Sequence, residues 1–172
     1  MSDVARLAAA CADLLEQARD LVLKLDSDTY VASGPVGSAS VGAHLRHCLD
    51  AFESLFGGLA RGAIDYDDRR RDARIEREPL AALARIDALH ARLQDEIANT
   101  ADTPLRVRAD EPELAPGEGF VASSLARELR SLASHTVHHF AVVALQLRVA
   151  GIAVRPDFGV ARSTWSHWQR TR

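Results

Sequence analysis

The stretch SSLARELRSLASHTVHHFAVVALQLRVAGI, residues 123–152, decides how the chain is read. Leu125, Leu129, Leu132, Thr136, Phe140, Val143 and Leu147 recur at helical spacing and form one apolar stripe. Ser123 or Ser124 can cap its start, and Gly151 suits its end. Three histidines sit inside it as HTVHH: His135, His138 and His139. At about 100° per residue, His139 falls roughly 70° from the stripe centre and His135 roughly 110°, on the same side. His138 lies nearly opposite the stripe and is expected to face solvent. The i,i+4 pair His135/His139 therefore makes a rail along the helix edge. Glu128 and Gln146 lie on that rail and can orient a ligand or touch a substrate.

Upstream, three more amphipathic segments are expected to be helical. The first covers about 4–25, with Leu7, Cys11, Leu14, Leu15, Ala18 and Leu21 on its apolar side. After a break over 26–37, Ser38 or Ser40 caps a second helix that runs to about Ala60. A polar stretch, 61–78, precedes Pro79, which suits the first turn of a third helix reaching about Ala98. Residues 105–108 alternate as a short strand does, with 120–122 as a hairpin partner, and Pro112, Pro116, Gly117 and Gly119 make the intervening loop. The tail, 151–172, shows no regular pattern, and its Trp165 and Trp168 are available to pack on the bundle. The expectation is one all-α domain over 1–172, a four-helix bundle, with its second and third connections long enough to cross it.

Bulk properties narrow the function. Of 172 residues, 47% are hydrophobic and 26% charged, which is ordinary for a soluble domain. A net charge of −3 and the lack of a basic stripe argue against nucleic acid as partner. No apolar run is long enough to span a bilayer, and the charged N-terminal stretch lacks a signal-peptide pattern. Two cysteines, Cys11 and Cys48, imply no disulfide scaffold, so a cytoplasmic location is expected. Helical bundles of this size commonly associate through an apolar face, and a homodimer is expected.

The chemistry lies in the histidines. Five of seven fall in two helices: His44 and His47 in HLRH, then the three of HTVHH, with His90 and His167 isolated. Neutral imidazoles spaced three or four apart on a helix can share one divalent ion, zinc or nickel by ligand preference. Periodicity places His44 nearer the apolar stripe and His47 nearer its edge, so either can complete the set with His135 and His139. Cys48 lies about 100° around the helix from His47 and reads as a small core residue.

These residues carry a family resemblance. SVGAHLRHCLD (40–50), DYDDRRRDARIE (65–76) and the 123–152 stretch together resemble the DinB/YfiT superfamily. The resemblance implies an antiparallel four-helix bundle with a long crossover and an open three-histidine metal site. Carried onto this sequence, it implies His47, followed by Cys48-Leu49-Asp50, with His135 and His139 as ligands, and it leaves His44 as a supporting or substitute ligand. Asp50 and Glu128 join His44 as candidates for the shell around the ion. Many members carry a Gln three residues after the last ligand; Val142 stands there in this chain.

Characterised relatives include metal-dependent transferases and isomerases that use bacillithiol, mycothiol or glutathione. The resemblance thus implies a metal-dependent thiol S-transferase acting on a small electrophile. Tyr66, Arg69 and Arg71, in the polar 61–78 stretch, are candidates for substrate contacts, since guanidinium recognises carboxylate bidentately. Two other readings stand beside it. One is a non-catalytic metal-binding or stress-associated dimeric bundle. The other is a metal-dependent hydrolase with Glu128 or Asp50 as acid or base.

Overall fold

The computed structural model describes residues 2–109, 113–115 and 117–171. Pro112 and Pro116 lie outside the described residues. Four helices carry the core: α1 (Asp3–Val22), α3 (Val41–Leu59), α5 (Pro79–Arg92) and α6 (Leu125–Val149). Two five-residue helices, α2 (Ser27–Val31) and α4 (Ala73–Arg77), lie in the connections, and α7 (Arg162–Arg170) in the tail. Among the described residues three strands form a small sheet: β1 (Ala63–Asp65), β2 (Pro104–Arg108) and β3 (Val121–Ser124).

Local chemistry sets the ends of the long helices. The Ser40 hydroxyl accepts from the Ala43 N–H at 3.1 Å and caps α3. Ser124 does the same for α6 through the Arg127 N–H. At the far end of α6, Gly151 takes φ +77°. Its N–H bonds to the Arg148 carbonyl, and the Ile152 N–H reaches back to Leu147 at 2.8 Å. This is the paired closure that a left-handed residue permits, and glycine adopts it without a Cβ penalty.

Packing then joins the helices. α1 rests on α5 and α6, and α3 rests on the same two. α1 and α3 therefore stand diagonally opposite, as do α5 and α6. The first and third connections make the crossings; the second, expected to be able to cross, joins the neighbours α3 and α5. Its length is spent on β1 and α4, which pack along α3. Leu15, Leu45, Leu49, Phe52, Leu89 and Phe140 are among the buried side chains that fill the interior. Every residue of the expected α6 stripe is buried.

Several segments differ from the sequence expectation. The hairpin forms, with Leu105 opposite Ser123 and Val107 opposite Val121, but β1 adds a parallel strand on the other side of β2. The 26–37 break holds Tyr30, fully buried, whose hydroxyl donates to the Ile75 carbonyl at 2.6 Å. The third helix winds its last turn, Leu93–Ile97, as a π-helix that keeps Leu93 and Ile97 inside. The tail is not irregular throughout: α7 forms within it, though no residue of α7 is buried. Phe158, rather than either tryptophan, fixes the tail, stacked on Phe140 with ring centroids 4.7 Å apart. Trp165 and Trp168 meet edge to face, and Trp168 stays exposed.

Gly42 marks the tightest approach between α3 and α4. A Cβ there would stand 2.1 Å from the Glu76 carbonyl oxygen and 2.6 Å from the Tyr30 ring. Gly42→Ala must push α4 off α3, and a loss of roughly 1–3 kcal/mol is expected. Denaturant unfolding followed by circular dichroism reads it; a midpoint equal to that of the parent would contradict the close packing.

Candidate metal centre

The apolar stripes of α3 and α6 face each other, and the residues flanking those stripes meet at the bundle edge. That edge places His47 from α3 beside His135 and His139 from α6. The ring centroids lie 4.6 to 4.8 Å apart. His47 Nε2 approaches His135 Nε2 to 2.9 Å. One nitrogen from each of the three can be chosen so that all lie within 4.8 Å of one another. Tetrahedral zinc with imidazole ligands spaces its nitrogens about 3.3 Å apart. The rings bracket that spacing, so the donor set fits a divalent ion.

His44 stands behind this group. Its Nδ1 lies 3.0 Å from Nδ1 of His139, which leaves Nε2 of His139 for the shared centre. Gln146, expected on the same rail, donates from its amide to Ser38 and to the Ala39 carbonyl, and its amide nitrogen lies 3.4 Å from Nε2 of His44. A chain of polar contacts thus runs from the residues just before α3 to the His139 ring. His138 is exposed, as its helical position requires, and touches His139 only edge-on at 5.3 Å.

The protonation states suit ligation. Desolvation, with the neighbouring His135, Arg69 and Arg46 charges, brings His47 down to about 4. Burial, with His135, His47 and His44 around it, brings His139 down to about 3. Burial likewise lowers His44. His47 and His139 thus titrate below neutrality, so these rings carry lone pairs at pH 7.

The two candidate carboxylates each have close partners of their own. Asp50 is buried but turned to Arg46, which donates to it at 3.1 Å and to Glu76 at 2.9 Å. Burial raises the Asp50 pKa, with Arg46 opposing. Glu128, also buried, accepts from Tyr66 at 3.1 Å, from Ser123, and from Arg127 at 3.0 Å. Neither belongs to the group of side chains able to share an ion with the three histidines. Each lies on the helix that carries a histidine, but a nearby cation or hydroxyl claims it first. Cys48 is buried, and desolvation pushes its thiol up to about 12, as fits a core residue.

A cavity of about 260 Å³ opens beside the rings. His47 and Ala51 from α3 and Ser131, Leu132 and His135 from α6 form two walls. Tyr66, Asp67 and Arg69, on the segment after β1, form the third. Asp65 holds that segment by accepting from the Asp67 N–H at 2.9 Å. Arg108, buried at the end of β2, pairs with Asp65 at 3.0 Å and donates to the Ala115 carbonyl. Of the sequence candidates, Tyr66 and Arg69 reach this cavity. Arg71 does not line it; it is exposed, at φ +49°, where the chain turns toward α4. Asp67, Ser131 and Arg108 were not singled out from the sequence. The placement of Asp67 and Arg108 depends on strand pairing that no local pattern reports.

Fold and site together define a helical-bundle protein whose edge cavity is walled by histidines placed to hold a metal ion. A family model of the DinB superfamily matches residues 6–143, and the chain belongs to that superfamily. A protein of Rhizopus delemar named FK506-binding protein 5 is 30% identical over 104 residues. That match takes in 60% of this chain but only 27% of the fungal protein, so this chain spans a minor part of it. No solved structure matches the chain. No helix among the described residues is long and apolar enough to cross a membrane.

Two outcomes follow from this geometry. Elemental analysis after native purification should find one divalent ion per chain. That ion should be lost in His47→Ala, His135→Ala and His139→Ala. In His44→Ala it should be kept, with affinity lowered about 10- to 100-fold. Retention by all three ligand variants would contradict the assignment. The second outcome concerns the metal-free protein. His47 and His139 have folded pKa values below the ordinary 6.5, so the unfolded chain takes up their protons first. Their contribution to stability is present above about pH 6.5 and lost as pH falls toward 4. Unfolding curves of metal-free protein should therefore decline with acid more steeply than those of a His47→Gln/His139→Gln variant. Parallel curves would contradict the depressed values.

Proposed function

We propose that the protein is a metal-dependent enzyme that joins a small thiol to an electrophile, with His47, His135 and His139 as the metal ligands. The observation that carries this reading is the open side of the histidine cluster. His47 and His135 are at once part of the putting-together of the donor set and part of the cavity wall. A divalent ion in such a set, with a coordination position facing the cavity, supplies Lewis acidity that lowers the pKa of a thiol or water bound beside it.

The chain's own residues supply the remainder. His44 holds the His139 ring through Nδ1. Ala51 and Leu132 give the cavity an apolar wall that limits water and suits a carbon electrophile. Tyr66, its hydroxyl committed to Glu128, presents a fixed ring on the opposite wall.

The hydrolase alternative needs a general base near the ion. The two carboxylates considered for it, Asp50 and Glu128, are engaged by Arg46 and by Tyr66, Ser123 and Arg127. That favours the thiol, which once ionised is itself the nucleophile. A non-catalytic metal-binding bundle would have no use for the cavity.

Metal-loaded protein supplied with glutathione, mycothiol or bacillithiol and an activated aryl halide should form the thioether. His135→Ala should lower the rate at least 100-fold, in line with loss of a metal ligand. Turnover no higher than that of His135→Ala with every thiol tried would contradict the proposal.

A further inference from the structure

We propose that the cavity seats its substrate through a carboxylate and that Arg69 is the residue that holds it. This deepens the reading above and rests on it for the reaction, though not for the binding.

Arg69 is a guanidinium with no direct ion pair among the described residues, although Asp50 lies near enough to feel its charge and Asp50, Glu53 and Asp68 line a separate groove on its other side. Its Nη1 lies 3.0 Å from His47 Nδ1, and its Nε is buried with no hydrogen-bond partner. Among the described residues, no carboxylate lies within ion-pair distance of it. The other arginines around the site are taken: Arg46 by Asp50 and Glu76, Arg85 by Glu53, Arg108 by Asp65. Asp67, the acid on the cavity wall, lies 3.9 Å from Arg108. Removing a guanidinium partly from water without a partner is costly, and the cost is recovered when a ligand brings the charge. Arg69 lines the cavity, so the ligand's anionic group has a place to meet it.

The contact with His47 points the same way. A neutral imidazole has one lone pair and one N–H. While Arg69 donates to Nδ1, the lone pair is at Nδ1 and the proton at Nε2. Nε2 is the nitrogen that meets His135. For His47 to offer Nε2 to an ion, its proton must move to Nδ1, and then two donors face each other. A ligating histidine ordinarily gives its second N–H to a carboxylate, a carbonyl or water. A carboxylate entering the cavity accepts from the Arg69 guanidinium and from the His47 N–H together, and resolves the conflict. Phosphate is larger and carries more charge than one guanidinium offsets; a planar carboxylate matches the guanidinium fork.

Cavity size limits the ligand. About 260 Å³ is below the ~300 Å³ at which pockets begin to take drug-sized molecules. The part of the ligand seated in the cavity is therefore small and carries the acid group. Its carboxylate belongs to the thiol or to the electrophile, and the experiment separates these sources.

Calorimetric titration of zinc-loaded and metal-free protein tests the proposal with three probes: 3-mercaptopropionate, its uncharged counterpart 3-mercapto-1-propanol, and propionate. The mercapto acid should bind at least tenfold tighter than the mercapto alcohol. Arg69→Met should abolish that advantage without changing zinc content, and Arg69→Lys should restore part of it. Arg69-dependent binding of propionate as well places the carboxylate site within reach of a thiol-free electrophile. Restriction to the mercapto acid places it on the thiol. Both support the carboxylate seat. Equal affinities for acid and alcohol in the parent protein, or an Arg69→Met variant that binds the acid as tightly as the parent, overturn it and leave the metal reading standing. Protein that takes up no zinc yet prefers the acid through Arg69 keeps the carboxylate seat and removes the transferase reading.

Discussion

The apposition of α3 and α6 is the contact on which the site depends. Leu45, Leu49 and Phe52 on one helix and Leu132, Thr136 and Phe140 on the other are buried in the shared core. Each buried leucine or phenylalanine contributes on the order of 1.5–3 kcal/mol by leaving water. That burial fixes the rotation of both helices about their axes. With the rotation fixed, the residues beside the apolar stripes are forced together, and those residues are histidines. The site is thus a by-product of core packing in its placement, while its chemistry comes from what occupies the flanks. Drawing the rings together has a cost: burial and mutual repulsion hold His47 and His139 below their ordinary range. A cation bound among them turns the same proximity into attraction.

The second structural idea is the small sheet. Parallel pairing of β1 with β2 brings Asp65 opposite Arg108. The ion pair between them, together with the turn that Asp65 caps, aims Tyr66 and Arg69 at the histidines. Without the sheet, the 61–78 stretch would be a polar loop with no fixed relation to α6. With it, a helix-edge cluster becomes a cavity with a charged wall.

Much of this was legible in the sequence, and what was not has a common cause. The four long helices, the caps narrowed to Ser38 or Ser40 and to Ser123 or Ser124, and the stop at Gly151 are local features, written in periodicity and turn chemistry. The convergence of His135 and His139 follows from their spacing alone. The choice between His44 and His47 did not: periodicity favoured the residue that ends up behind His139, and the family resemblance favoured the one that meets His135. Long-range pairing was invisible. Tyr30 is buried because Ile75, 45 positions away, accepts its hydroxyl. Glu128 was read as a metal-shell candidate from its place on the histidine rail and Asp50 from the motif after His47; the partners that engage them, Arg46 for Asp50 and Tyr66 and Ser123 for Glu128, are not ranked by helix geometry alone. The tail was read as irregular because α7 has no buried face to give it a core-facing pattern.

The central claim is that imidazoles from α3 and α6 share one ion that keeps a coordination position open to the cavity. X-ray absorption at the zinc edge of the loaded protein measures this directly. The account predicts a four-coordinate first shell of nitrogen and oxygen near 2.0–2.1 Å, with outer-shell scattering from three imidazoles and one exchangeable light ligand. A first shell containing sulfur, fewer than three imidazoles, or four protein ligands closing the site would contradict it.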